Sequence, residues 1–503
     1  MGVVQRQGLK RSILTFLGVG IGTLSTLFIY PLELEVFGTV QFRVSTGAFF
    51  AAFASLGVNA LPVRYFPIFE DKESHHHGFL GFLLFASISA MVLFGVFILS
   101  FRTLLYQILD WAGFDRVLFE ENMTFIALIC CASVLTVSLE IYTSNFKRVA
   151  IPSIFTNLLI KIGQPVLILL VLYGWIGITG LKWLLVFLFF SIIVALAAYL
   201  YKLGEWSLRL EPTFLRKTLL KDMGSYALFG LLSSIGALLA FRVDTVMVAS
   251  MTGTLNNGIY SIASFIVNVI EVPFNAVIVI LTPMIASALI RQDQNELEKY
   301  SQNGGLNLMI IGLFFFIGIV TCMEDLFKLT PRYAELSKGK EVIWFLGTAK
   351  VFSMSLGINN YILNMSRYYK LSMLTFLAMA LTNVSLNYVC IPKFQIAGAA
   401  MATSFSLIIF SLLTTYLVWI KLGIRPVSGR ALIVGMLAVP SLLLGQILPD
   451  FSYPIVHIIV KGLLVSVLFL VPVLGFQVSP DLNRFVLKYL NLFLHRSRNF
   501  FKY

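Results

Sequence analysis

The chain has 503 residues, of which 58% are hydrophobic and only 12% charged, with a mean hydropathy of +0.89. A soluble protein of that length needs far more charge to cover its surface, so composition excludes a soluble enzyme or binding module and places the chain in a membrane. The formal net charge of +13 then reflects basic loops meeting anionic lipid head groups, and no nucleic-acid partner is expected.

In chain order, apolar runs fall at 12–32, 44–68, 79–101, 123–144, 151–173, 180–201, 225–250, 258–288, 306–326, 342–364, 371–391, 396–420, 430–448 and 454–477. Most are about 20 residues long, the length at which a helix crosses a hydrocarbon core of roughly 30 Å. The fold class expected is all-α and polytopic, with about fourteen transmembrane helices. The first run leads straight into further spans and lacks a small-residue cleavage site, so no cleavable signal is expected. With both termini in the cytoplasm, Lys202–Lys221 carries five basic residues inside, against none in Gly174–Thr179 outside. That is the bias of the positive-inside rule. Asp325–Glu341, with four basic residues on the outer side, runs against it. The tail at 479–503 mixes aromatic and basic residues and reads as a helix lying in the cytoplasmic interface.

An internal repeat is the most informative pattern. At a constant offset of 219, Tyr142, Asn145, Arg148 and Thr156 match Tyr361, Asn364, Arg367 and Thr375, and Lys202-Leu203-Gly204 matches Lys421-Leu422-Gly423. "NALPVRYFP" from Asn59 meets "NAVIVILTP" from Asn275 at offset 216, and Gly38-Thr39 meets Gly253-Thr254 at 215. Each unit holds six spans, an even number, so both enter the membrane in the same orientation. The expected division is a six-helix lobe at 1–204, a cytoplasmic linker at 205–223, a second six-helix lobe at 224–423, two additional helices at 424–478 and the basic tail at 479–503. The lobes are expected to be related by a pseudo-two-fold axis along the membrane normal, an arrangement in which transporters place substrate at the repeat interface and work by alternating access. The loop "FEDKESHHHGF" lacks the Gly-rich basic signature of the major facilitator fold, and no GxxxxGK[ST] phosphate loop is present.

The openings "RSILTFLGVGIGTLSTLFIYPL" and "FGTVQFRVSTGAFFAAFASLGVNALPVRYF", with "FRVDTVMVASMTGTLNNGIYSIASF" in the second lobe, resemble bacterial polysaccharide and O-antigen repeat-unit flippases. These form the polysaccharide transporter branch of the multidrug/oligosaccharidyl-lipid/polysaccharide exporter superfamily. An acidic residue often found after the first helix in that family is absent, with Gln41-Phe42-Arg43 in its place. The resemblance implies translocation of a polyprenyl-diphosphate-linked oligosaccharide, as in lipopolysaccharide O-antigen synthesis, from the inner to the outer leaflet of a bacterial inner membrane. It also implies possible company with glycosyltransferases and a glycan polymerase. Alternatives are a cation-coupled multidrug exporter of the same superfamily and a peptidoglycan lipid-precursor flippase. A membrane glycan polymerase fits less well, because the outer loops around 102–122 and 327–341 are too short for a catalytic domain. No enzyme activity, catalytic group, metal or resident cofactor is expected; the driving force is left open, with coupling to an H+ or Na+ gradient as one option.

A diphosphate needs cations, with Arg suited to its oxygens; sugars need amides and hydroxyls; the polyprenyl tail needs an apolar groove. The candidate substrate-binding residues are therefore Arg64, Lys161, Arg242, Asp244, Lys350 and the i, i+4 amide pairs Asn360/Asn364 and Asn383/Asn387. Arg242 and Asp244 point about 200° apart on one helix, so each either lines a polar cavity or pairs with another helix. Glu271, just before Pro273, and Asp244 are the candidates for ion coupling; Glu271 could equally satisfy Arg242. The amide pairs serve sugar or glue helices together. Lys461 is expected to snorkel or pack, Gly18, Gly20 and Gly22 to permit bending, and the run His75–His77 to be a loop feature; the four cysteines read as packing residues.

Overall fold

The computed structural model describes residues 17–71, 73–146, 148, 150–209, 216–426, 429–447 and 454–484. All regular structure among the described residues is helical. The principal helices are α1 (Leu34–Ala54), α2 (Leu61–Phe69), α3 (Phe79–Ser100), α4 (Arg102–Trp111), α5 (Arg116–Ser144), α6 (Leu159–Leu172), α7 (Ile178–Lys202) and α8 (Lys217–Phe241). There follow α9 (Val243–Thr252), α10 (Thr254–Asn268), α11 (Val272–Arg291), α12 (Gly305–Lys328), α13 (Lys340–Met365), α14 (Tyr369–Leu422), α15 (Arg430–Ile447) and α16 (Pro454–Gly475).

Among the described residues, ten helical stretches are long and apolar enough to cross a membrane, with Val243–Thr252 and Arg430–Gln446 as shorter apolar helices. The count falls below fourteen partly because neighbouring runs are continuous. Tyr369–Leu422 is one stretch although Gln395, at φ 52° and ψ −127°, interrupts it. Leu17–Ala54 likewise passes through a π turn at Ser25–Ile29 and a 3-10 turn at Tyr30–Glu33.

By contacts the chain divides into two compact units, Met1–Ile262 with Ala380–Thr403, and Ala263–Met379 with Ser404–Tyr503. In the first, α1 lies against α5 and α9. Small residues let backbones approach where lipid removes the usual hydrophobic drive between helices. A Cβ on Gly38 would sit 1.8 Å from the carbonyl oxygen of Thr254, and one on Gly258 would sit 2.2 Å from that of Leu34. Asn257 adds a hydrogen bond from Nδ2 to the Gly38 carbonyl at 2.8 Å. One end of this unit is filled by Phe66, Phe69, Phe79, Tyr142, Leu196 and Leu200.

The run expected to span 44–68 is broken. Gly57 turns the chain at φ +77°, with no room for a Cβ against the Ala227 carbonyl, and α2 restarts with Pro62 in its first turn. In the second unit, α12 packs on α13, α15 and α16. Phe316 closes over Gly347 and meets Trp344 edge-on at 5.7 Å. Part of the expected linker (210–215) and most of the expected interfacial tail (485–503) lie outside the described residues.

Candidate functional site

The run expected as one helix over 225–250 is two: α8 ends at Phe241, Arg242 takes φ −136° and ψ −12°, and α9 begins at Val243. Asp244 therefore stands in the first turn of a new helix, where unpaired N–H groups and the helix dipole favour an anion. Its Oδ1 accepts from the Thr245 N–H at 2.9 Å. The side chains on the two sides of this break go different ways, Arg242 exposed and Asp244 buried. They form no ion pair.

Asp244 Oδ2 accepts a short hydrogen bond from the Tyr260 hydroxyl and another from Thr403 Oγ1 at 3.4 Å. Thr403 Oγ1 in turn accepts from Asn383 Nδ2 at 3.1 Å, and Asn383 Oδ1 from Asn387 Nδ2 at 2.5 Å. The four groups form a polarised chain, Asn387 to Asn383 to Thr403 to Asp244, with every donor aimed toward the carboxylate. Such chains strengthen their own members in a low dielectric. Asn383 and Asn387 are 1% and 0% exposed, so they line this network and present no open surface to a sugar. The chain leaves one buried acceptor, Asn387 Oδ1, without a partner.

Two helix interruptions bracket the cluster, one at Arg242 and one at Gln395, between Asn387 and Thr403 in sequence. Discontinuous membrane helices recur at ion sites in transporters. A buried carboxylate bonded by two hydroxyls, with no basic side chain in ion-pair range among the described residues, is chemically suited to hold a proton or a hard monovalent cation. Tyr260 and Thr403 escaped the reading of the sequence. Tyr260 lies in the segment "GIYS" that carried the resemblance; Thr403 had no signal beyond a hydroxyl in an apolar run.

In the second unit, Glu271 pairs with Lys350 rather than with Arg242. Lys350 Nζ lies 2.6 Å from Glu271 Oε2 and 2.8 Å from Asn268 Oδ1. Glu271 closes a 3-10 turn, Val269–Glu271, ahead of Pro273, so it stands at a helix break and not in mid-helix. Asn360 accepts from Ser372 Oγ at 3.3 Å, while Asn364 is exposed.

Arg64 is exposed, its guanidinium over the ring of Tyr226 at 4.9 Å and near that of Tyr65 at 5.6 Å. Stacking holds the fork in place and leaves its donors open, the arrangement that suits a phosphate. Lys161 is half-buried, its ammonium within 3.4 Å of where a Gly18 Cβ would stand. Among the described residues, no carboxylate lies within ion-pair distance of Arg64, Lys161 or Arg242.

One expectation is corrected: Asp325, assigned to an outer loop, lies in the last turn of α12. Of the two expectations for Lys461, it packs and does not snorkel. Asp325 Oδ1 meets His457 Nδ1 at 3.0 Å and its Oδ2 meets Lys461 Nζ at 3.2 Å, fastening α16 to α12. The His run is a backbone feature: His75, His76 and His77 all have positive φ. His76 Nδ1 accepts from the Asp71 N–H, leaving Nε2 to reach Glu205 at 2.7 Å. No cluster of metal-ligating side chains occurs among the described residues, and the four cysteines are free.

The fold and this arrangement of broken helices around a buried carboxylate define a polytopic membrane protein of transporter architecture. A family model described as "Polysaccharide biosynthesis protein" matches residues 24–289, more than half of the chain. The chain belongs to that family. In fold it is similar to the lipid II flippase MurJ in an inward closed conformation, with TM-score 0.65 and 14% identity, over 91% of this chain and 97% of that one. It is also similar to an inward-facing multidrug resistance MATE transporter of the MOP superfamily, with TM-score 0.58 and 13% identity, over 82% and 94%. No curated protein matches it by sequence.

Proposed function

We propose that the chain is a flippase that moves a polyprenyl-diphosphate-linked oligosaccharide, such as an O-antigen or other polysaccharide repeat unit, across a bacterial inner membrane by alternating access. The gradient of H+ or Na+ that drives it acts at Asp244. The observation that carries the coupling is the buried Asp244 cluster, a carboxylate that no cation pairs among the described residues and that terminates a one-way chain of donors. Protonation, or a sodium ion held by oxygens of Asp244, Thr403, Asn383 and Asn387, neutralises the charge; the orphaned Asn387 Oδ1 fits such a cation because it is an acceptor with nothing to accept. Arg64 supplies an open guanidinium for the diphosphate, with Lys161 and Arg242 as further cations in the same unit that no carboxylate pairs among the described residues. The family and the likeness in fold to a lipid II flippase support a lipid-linked glycan as cargo.

Both termini face the cytoplasm in this reading, and glycosyltransferases and a glycan polymerase are the natural neighbours. The test is leaflet-resolved labelling of lipid-linked oligosaccharide in proteoliposomes, under imposed H+ or Na+ gradients. Native protein is expected to move the glycolipid, with Asp244→Asn losing the gradient dependence and Arg64→Ala losing affinity. Movement of small organic cations in place of glycolipid would make the chain a drug exporter; selective movement of a peptidoglycan precursor would make it a precursor flippase.

A further inference from the structure

Between the spanning stretch that ends at Ser100 and the one that begins at Arg116, the chain makes the short helix α4. With 10 residues it is too short to cross a membrane, and its two neighbours place it at a membrane surface. Its faces agree with that depth. Leu104, Ile108 and Trp111 form an apolar stripe, each half or more exposed, while Tyr106 and Leu109 pack inward in one cluster with Phe119. Trp111 also stacks on Tyr388 with ring centroids 5.9 Å apart, and such aromatics collect at the level of lipid head groups. A short helix with an apolar stripe beside a polar face is suited to lie in the plane of the interface.

About 100° around the helix from that stripe runs a polar row, Thr103, Gln107 and Asp110. The row is one wall of a cavity of about 470 Å3, which Arg102 and, from α5, Arg116 and Glu120 complete over a floor made by Tyr106. That volume lies within the range of small-molecule sites, roughly 300–1,000 Å3. Its charges are separated. Arg102 donates from Nε to the Tyr106 hydroxyl at 2.9 Å, and among the described residues no carboxylate lies within ion-pair distance of it. Asp110 and Glu120 share one cation, Arg116, at 3.6 and 2.9 Å. One end of the cavity is therefore positive and the other negative, with no net charge. Arg102 reaches forward over Tyr106, so the two ends stand about one helical turn apart, roughly 5 Å. A phosphate joined through two carbons to an ammonium carries opposite charges at that order of spacing. A sugar fits less well, because the guanidiniums of Arg102 and Arg116, at 5.1 and 4.5 Å from its centroid, already occupy the Tyr106 ring on which it would stack.

We propose that this cavity binds the head group of an aminophospholipid of the phosphatidylethanolamine type. The phosphate meets Arg102 and Thr103, the planar fork of the guanidinium suiting its oxygens. The ammonium donates to the carboxylates of Asp110 and Glu120, and the acyl chains lie along Leu104, Ile108 and Trp111. The site shares no residue with the Asp244 cluster or with the cations assigned to the cargo, and it does not depend on what the cargo is.

The experiment titrates dioleoyl phosphatidylethanolamine, phosphatidylcholine and phosphatidylglycerol in turn into the purified full-length protein in maltoside micelles, with bound lipid counted by native mass spectrometry. Native protein is expected to bind phosphatidylethanolamine about five- to ten-fold more tightly than the other two, the scale of a hydrogen bond to a charged group. Phosphatidylcholine has no N–H to donate, and phosphatidylglycerol has no ammonium. The double variant Asp110→Asn, Glu120→Gln is expected to lose that preference and to bind phosphatidylglycerol at least as well, since it leaves two cations without acids. Arg102→Gln is expected to weaken all three lipids. The tail-less head group, glycerophosphoethanolamine, is expected to compete only weakly. Three lipids bound equally by native protein, a preference unchanged in the double variant, or a tail-less head group bound as tightly as the lipid would each overturn the proposal. Asp110 and Glu120 are exposed, so the double variant keeps the test intact if Arg102→Gln does not fold.

Discussion

Replacing Lys461 by Met keeps the length of the side chain and removes only its charge, which isolates the role of the buried triad that joins α12 to α16. Asp325 is 2% exposed, and its carboxylate oxygens lie 3.0 Å from His457 Nδ1 and 3.2 Å from Lys461 Nζ. Removing one partner of a buried ion pair costs about 3–5 kcal/mol, because the surviving charge stays out of water. Lys328, 3.9 Å from Asp325 and 40% exposed, can return at most about 1 kcal/mol of that. The net loss expected for Lys461→Met is therefore about 2–4 kcal/mol. The triple variant Asp325→Leu, His457→Leu, Lys461→Met removes the charges together with the groups that need them, and buried ionic clusters replaced by apolar side chains of similar volume are often neutral or stabilising. Denaturant unfolding in detergent micelles, followed by circular dichroism, ranks the three proteins. The expected order places the triple variant near wild type and the single variant well below both. A single variant at the wild-type midpoint, or a triple variant less stable than the single one, refutes the claim that an uncompensated Asp325 is the source of the loss.

Gly38→Ala is expected to cost about 1–3 kcal/mol, at the scale of overpacking, since its Cβ would meet the Thr254 carbonyl at 1.8 Å; Gly20→Ala, with nothing within 4 Å, is expected to be neutral or mildly stabilising in the same melt. Arg64→Ala is expected to weaken binding of a polyprenyl diphosphate by roughly 10–100-fold, the worth of a charge-assisted hydrogen bond, whereas Tyr226→Leu loosens the guanidinium and costs less; a binding titration with the lipid separates them. The Ser74 hydroxyl and the Glu73 N–H hold the Asp71 carboxyl below the usual carboxylate range. A carboxyl lowered in the folded state stabilises above its ordinary value and loses that contribution as pH falls through the lowered one. Protease nicking of the 70–78 loop is therefore expected to stay flat from neutral pH down to about 4 and to rise only below that, and a rise between pH 5 and 7 would assign control to another group.

Span positions were legible because twenty-residue apolar runs have one physical meaning in a chain this poor in charge. Breaks within them were not. The turn at Leu56–Gly57 depends on two positive-φ residues inside an apolar run, and hydropathy averages over it; Gln395, by contrast, falls in the gap expected between 371–391 and 396–420. The site divided in the same way. Asp244, Asn383 and Asn387 stood out as polar residues at depth, and Glu271 with Lys350 as charges needing partners, but their pairing is tertiary. Nothing in a one-dimensional reading could bring Thr403 to Asp244 across 159 positions or Asp325 to Lys461 across 136. Asp325 was lost to a boundary error of two or three residues, because a carboxylate at the end of an apolar run looks like the start of a loop. His457 and Lys461, spaced i, i+4 in the last apolar run, were the available hint that a buried acid should be sought for them.

The direction of the hydrogen bonds at Asp244 bears on how an ion there could be felt elsewhere. Asn387, Asn383 and Thr403 all donate toward the carboxylate, so the chain is held in one orientation by a negative charge at its end. A proton on Asp244 would add a donor, weaken the carboxyl as an acceptor and so loosen the hold on that orientation. A cation would go further, calling the amide oxygens of Asn383 and Asn387 inward in place of their nitrogens. Either event acts on segments on both sides of the Gln395 interruption at once, because Asn383 and Asn387 precede it and Thr403 follows it. A helix interrupted at that point can change the angle between its two parts at little cost in backbone hydrogen bonds, whereas an unbroken helix would resist. The placement of the break between the amides and the hydroxyl would therefore allow a change of charge at one buried oxygen to become a change of helix geometry.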